Sequence, residues 1–202
     1  MGEHKGSVYE DLVERYRSGD VPWDDPLPPP EVIEFVTTRP VGKALDLGCG
    51  FGRAAIYLAR LGWEVDGIDF IPEAVAEAAR RSRAADVTIR FHISSITDLG
   101  YLRAGYDFAL DVGCGHNLDA SGWQIYVASL RRLLRSGGSF MLFGRLLQDN
   151  GGAGEQGPRG MDLAMVRGIF EHGFGCVWEQ RGVTEMTDQP AWASIWMRFQ
   201  RQ

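Results

Sequence analysis

Three glycines stand at alternate positions in the run Asp46-Leu47-Gly48-Cys49-Gly50-Phe51-Gly52. Glycine reaches backbone angles closed to other residues and carries no side chain to hold a ligand away. A helical pattern starts at Arg53, so the free N–H groups of its first turn can face a polar ligand. A bare strand-to-helix turn needs one such glycine; three point to a bound group. A phosphate-binding P-loop would end in Gly-Lys-Ser/Thr, whereas Arg53-Ala54 follows here. The dinucleotide fingerprint G-x-G-x-x-G would place its third glycine at position 53, where this chain has a bulky arginine. Asp69 lies roughly twenty residues beyond the turn, at the end of a buried strand, where a carboxylate accepts both ribose hydroxyls of an adenosine. The two features together predict an adenosine-containing ligand without a pyrophosphate.

A second group of reactive side chains lies in Leu110-Asp111-Val112-Gly113-Cys114-Gly115-His116-Asn117-Leu118. His116, with an unperturbed pKa of about 6.5, suits a general base for a hydroxyl, thiol or phenol. It can equally cap a turn or border the ligand. Asp111 reads as a residue that fixes the loop, Cys114 as small packing, and Cys49 as structural. His4, His92, His116 and His172 show no ligand-like clustering, so no metal site is expected.

These residues need a scaffold, and the periodicity supplies one. Val8–Arg17 has helical spacing and is followed by a Pro- and Gly-rich stretch through Pro30. A short helix is expected over Glu31–Thr38. Strands are expected at Ala44–Leu47, Glu64–Ile68, Val87–Ile93, Tyr106–Val112, Ser139–Phe143, Phe174–Arg181 and Ala191–Phe199. Helices are expected at Arg53–Leu61, Pro72–Arg83, Gly122–Leu134 and Met161–Phe170. Ser136-Gly137-Gly138 reads as a helix stop, Gln148–Gly160 as a glycine-rich loop, and Thr187–Pro190 as a turn. Alternating strands and helices imply a parallel sheet covered on both faces, with ligands beyond the carboxyl ends of the strands.

Leu45-Asp46-Leu47-Gly48-Cys49-Gly50-Phe51-Gly52-Arg53, followed by Trp63-Glu64-Val65-Asp66-Gly67-Ile68-Asp69, resembles the cofactor-binding region of class I methyltransferases that use S-adenosylmethionine (SAM). Arg17-Ser18-Gly19-Asp20-Val21-Pro22-Trp23-Asp24 resembles the N-terminal lid of their thiopurine and tellurite-resistance branch, and residues 133–143 are similar to the family's fifth-strand motif. The resemblance implies an α/β Rossmann-like methyltransferase fold: one three-layer domain, a mostly parallel seven-stranded sheet, and an N-terminal helical lid. Residues 1–40 would form the lid or extension and residues 41–202 the SAM-binding domain. It further implies that Gly48, Gly50 and Gly52 pass against the methionine part of SAM. Asp46 would orient its ammonium through water, and Asp69 would hold the ribose. Phe70, Ser95 and Ile96 would border the adenine, although the family commonly has Asp where Ser95 stands. The loop after the fourth strand is where the family places the transferred methyl, which makes His116 the candidate catalytic residue. Trp23, and with it Tyr16, would close an apolar lid. This loop lacks the Asp/Asn-Pro-Pro-Tyr/Phe of enzymes that modify amide or base nitrogens.

Arg145, Asp149, Asn150 and residues 151–160 follow the fifth strand and either cover the acceptor or form a surface connection. Trp192 and Trp196 read as core or sheet-edge packing. The formal net charge of −6 disfavours a nucleic-acid partner. Three widely spaced cysteines suggest no disulfide framework, and no apolar run suggests a secretory leader or a membrane helix. The expected protein is therefore a cytoplasmic SAM-dependent methyltransferase of small molecules, with thiol, hydroxyl or other soft acceptors. Its rivals are a non-catalytic SAM-binding partner or sensor, an NAD(P)-dependent oxidoreductase, and a nucleic-acid or protein methyltransferase.

Overall fold

The structure, a computed structural model, describes residues 8–147, 160–186 and 189–202. The glycine-rich stretch after Leu147, with Asp149 and Asn150, and the turn residues Thr187 and Asp188 lie outside these. Helix α1 (Val8–Ser18) carries acids in its first turn and arginines in its last, the arrangement the helix dipole favours. Helix α2 (Pro30–Thr37) starts on proline, whose missing N–H costs nothing there. The elements β1 (Lys43–Leu47), α3 (Arg53–Arg60), β2 (Glu64–Asp69), α4 (Pro72–Ala84), β3 (Arg90–Ile93) and β4 (Tyr106–Val112) follow in alternation. Then come α5 (Ala120–Leu133), β5 (Leu134–Arg145), α6 (Leu163–Phe170), β6 (Phe174–Met186) and β7 (Gln189–Arg201).

The seven strands form one sheet in the order β3-β2-β1-β4-β5-β7-β6. The first five run parallel; β7 lies antiparallel between β5 and β6. The order reverses between β1 and β4, so their carboxyl ends flank the crevice where such sheets take ligands. Strand alternation divides the core in two. Leu45, Leu47, Ala109, Phe140 and Leu142 pack with α5 and α6, while Ala44, Phe108, Leu110 and Met141 pack with α2 and α3. By the same alternation Asp46 faces α3 and Asp111 faces α5.

The largest departures from the expected spans fall in β3, β5 and the terminal hairpin. Strand β3 starts at Arg90 and not Val87, because the Val87 N–H closes the end of α4 on the Ser82 carbonyl at 3.1 Å. Ser136-Gly137-Gly138 lies within β5: Leu134 pairs with Tyr106 and pairing resumes at Ser139 opposite Phe108, so these residues bulge from the ladder. The terminal hairpin is longer than expected, since its distal part projects beyond the core. Val183 there is 69% exposed, and burial leaves no alternation to read. Among the described residues no helix is long and apolar enough to cross a membrane.

Candidate functional site

Residues 48, 50 and 52 all adopt positive φ (71°, 52° and 83°), so the glycine spacing reflects a backbone requirement. The turn is also crowded. A Cβ on Gly48 would fall 2.5 Å from the Cβ of Cys114, and one on Gly50 would fall 3.0 Å from the Tyr16 hydroxyl. The floor of a cradle is therefore glycine backbone, with the β4–α5 loop on one side and α1 on the other.

Two carboxylates brace this floor. Asp46 accepts the Ala55 N–H at 3.0 Å and so ties β1 to the first turn of α3. It is 3% exposed, and burial pushes its pKa up to about 7, against the opposing pull of that hydrogen bond and of Arg53. Asp69 closes β2 and bonds twice: one oxygen accepts the Gly50 N–H and the other the Ile71 N–H, both at 2.9 Å. It thereby clamps the β2 end to the glycine turn. Each oxygen keeps a further lone pair for a hydroxyl donor. Burial raises its pKa as well, opposed by these backbone donors.

Helix α1 covers the cradle. The Tyr16 ring meets Phe51 edge-on at 5.0 Å and Trp23 at 6.1 Å, and Trp23 Nε1 donates to the Tyr16 hydroxyl at 3.4 Å. Burial, reinforced by the nearby Asp69 charge, keeps the Tyr16 phenol protonated. Ion pairs Arg17–Glu73 (2.7 Å), Arg81–Asp24 (2.8 Å) and Arg53–Asp25 (3.1 Å) tie α1 and its following segment to α4 and the glycine turn. Such partly exposed pairs are weak singly.

The other expected binding residues are placed differently. Phe70 is 37% exposed and meets Tyr9 of α1 at 5.7 Å. Ser95 is exposed, and its hydroxyl bonds with Thr97 in a local turn. Ile96 is buried in the core cluster beneath α5, so its side chain is committed to packing.

On the β4 side, Asp111 fixes the loop as expected. It is fully buried and accepts the N–H groups of Cys114 (2.8 Å) and Gly115 (2.9 Å) and the Tyr126 hydroxyl (2.9 Å). His116 sits in the 3₁₀ turn Gly115–Asn117. Its Nδ1 is sealed from solvent without a hydrogen-bond partner. Burial, with the Arg145 charge adding to it, pulls its pKa down to about 4, so the ring is neutral at pH 7. Residue order points to packing alone for Trp192. It is buried, but it lies beside this histidine, at 6.4 Å between rings, and under the Arg145 guanidinium at 5.8 Å. Only the β5–β7 register, which sets Arg145 opposite Ser194, brings these residues together. Among the described residues no group of three or more His, Cys, Asp or Glu could hold a metal ion.

The raised pKa of Asp46 has a measurable sign. An acid whose pKa is higher folded than unfolded adds stability below the unfolded value and loses it as pH rises through the folded one. Asp46→Asn should therefore gain thermal stability relative to the parent as pH rises from about 4 to about 7, and the gain should level off above that. Because Asp111 and His116 remain in both proteins, the difference in melting temperature isolates Asp46. A difference independent of pH would show that Asp46 is ionised throughout.

Residues 44–138 match the methyltransferase domain family. An uncharacterised methyltransferase of Schizosaccharomyces pombe is 33% identical over 100 residues, covering 50% of this chain and 69% of that protein. Among solved structures, TehB from Haemophilus influenzae superposes with a TM-score of 0.77 at 16% identity, over 94% of this chain and 67% of that one. The N-methyltransferase NodS from Bradyrhizobium japonicum, in complex with S-adenosylhomocysteine (SAH), gives 0.76 at 17% identity, over 96% and 99%. The Rossmann-like methyltransferase architecture thus extends over nearly the whole chain.

Proposed function

The chain belongs to the methyltransferase domain family, and from that premise we propose that it transfers the methyl group of SAM to a thiol, hydroxyl or other soft nucleophile on a small molecule. The observation that carries this reading is the Asp69 clamp: a strand-end carboxylate tied to a glycine cradle, with lone pairs left for two ribose hydroxyls. When bound, SAM supplies a methyl made electrophilic by its sulfonium.

The chain's own residues bind and align. Gly48, Gly50 and Gly52 admit the ligand to the backbone. Asp46 balances its ammonium, and Asp69 holds the ribose. Of the three residues expected at the adenine, Phe70 and Ser95 are exposed enough to border it, while Ile96 backs them from the core. Tyr16 and Trp23 close over the cradle and exclude water. Residues 1–40 thus act as lid and extension, although Val32, Phe35 and Val36 of α2 are buried in the core. Transfer would join the nucleophile to the methyl carbon as the carbon–sulfur bond of SAM broke to leave the neutral thioether SAH, and His116 or solvent would take the proton of a thiol or hydroxyl acceptor. With its pKa near 4, His116 serves best where the acceptor is already acidic.

Isothermal titration with SAM, then with SAH, tests the reading. Saturable binding of both is expected, followed by SAH formation in a screen of small thiols and phenols. A folded protein that binds neither is not a methyltransferase.

A further inference from the structure

Arg145 ends β5 with no acidic partner among the described residues. It is half-buried, and its guanidinium lies over the Trp192 ring. Partly buried cations are normally paired, because removing water from a charge is costly. Beside it is the second unmatched group, the sealed Nδ1 of His116. A Cβ on Gly144, the residue before Arg145, would fall 3.1 Å from the His116 Cβ, so β5 and the 3₁₀ turn are in direct contact. Two residues before His116, Cys114 touches the glycine turn at Gly48. Successive neighbours thus run from the cradle through Cys114 to His116, Trp192 and Arg145.

We propose that Arg145, with His116 and Trp192, forms the acceptor subsite and takes an acceptor that carries a carboxylate. This rests on the methyltransferase reading and adds the substrate class. A guanidinium stacked on an aromatic ring keeps its in-plane N–H donors free at the edge, the geometry that grips a carboxylate through two parallel hydrogen bonds. Trp192 sets that plane. His116 offers a neutral ring nitrogen to the bound molecule. An anion on Arg145 would also cancel the charge that this guanidinium places beside the His116 ring, lowering the opposition to its protonation. The carboxylate would thus strengthen the base beside the reacting atom.

A matched pair of probes tests this on the full chain saturated with SAH: 4-hydroxybenzoate against 4-hydroxybenzamide, alike in shape and different in charge. The carboxylate should bind at least roughly tenfold more tightly, as a charge-assisted bidentate contact implies. Arg145→Gln should abolish the preference, while Arg145→Lys should keep part of it. The carboxylate should raise the His116 titration midpoint, followed by imidazole NMR and assigned with His116→Gln. Unchanged SAH affinity in Arg145→Gln would show that the variant is folded. Equal binding of the probes, binding of neither, or a preference that survives Arg145→Gln would overturn the proposal. Failure to bind SAH would instead overturn the methyltransferase reading.

Discussion

Asp69→Ala is expected to weaken SAM binding by about 100-fold or more, since two hydrogen bonds to a charged acceptor are worth about 1.5–3 kcal/mol each. His116→Ala should leave SAM affinity nearly unchanged, because it lies in the β4–α5 loop and not in the glycine turn or the Asp69 clamp. The comparison needs a folding control. Asp69 also holds the Gly50 and Ile71 N–H groups, and removing it leaves two buried donors unmatched. Asp69→Asn retains one oxygen for them and should fall between parent and alanine variant in both stability and affinity. Calorimetric titration of the three proteins, each shown to be folded by circular dichroism, decides the matter. A folded Asp69→Ala protein with parental affinity would remove Asp69 from the ribose site and leave it as a brace of the turn.

The largest effect on stability should come from Asp111→Ala. This carboxylate is fully buried and accepts from two backbone N–H groups and one phenol. Each donor left unmatched in the interior costs about 1–3 kcal/mol. Three together approach the about 5–15 kcal/mol that holds a typical domain folded. The variant should therefore lose most of its cooperative unfolding transition at ordinary temperature. Tyr126→Phe gives the scale: it removes one donor, leaves both backbone bonds intact, and should cost about 1–1.5 kcal/mol. Urea denaturation of both variants measures the difference. An Asp111→Ala protein within 1 kcal/mol of the parent, a margin below the cost of one unmatched donor, would show that water enters the loop and takes over its donors.

Much of this architecture was legible in residue order. The alternation of short apolar runs with helical patterns specified a doubly covered parallel sheet. Tyr106–Val112 was placed residue for residue, because a strand buried on both faces reads as one apolar block bounded by turns. The glycines at 48, 50 and 52 were legible for a local reason. Positive φ is a property of the residue itself and needs no distant partner. The place of Asp69 at the end of β2 was legible because the spacing from the glycine turn to the end of the next strand is fixed by one helix and one strand.

What the residue order left open depends on which chain segments meet in space. Ile96 and Ser95 are neighbours in sequence, yet one is core and the other exposed, a division made by packing against α5. Tyr16 lies over Gly50 because α1 docks on α4, a contact between segments far apart in the chain. The electrostatics of His116 could not be read from a lone histidine in a loop. Its burial comes from β5 and β7, and the charge beside it from Arg145. Sequence by itself determined the glycine turn and the strand-end carboxylate of this protein, because short-range backbone rules built them. Tertiary structure decided the proposed acceptor side, because its three side chains come from β5, β7 and the β4–α5 loop, and only the register of an antiparallel strand pair sets them together.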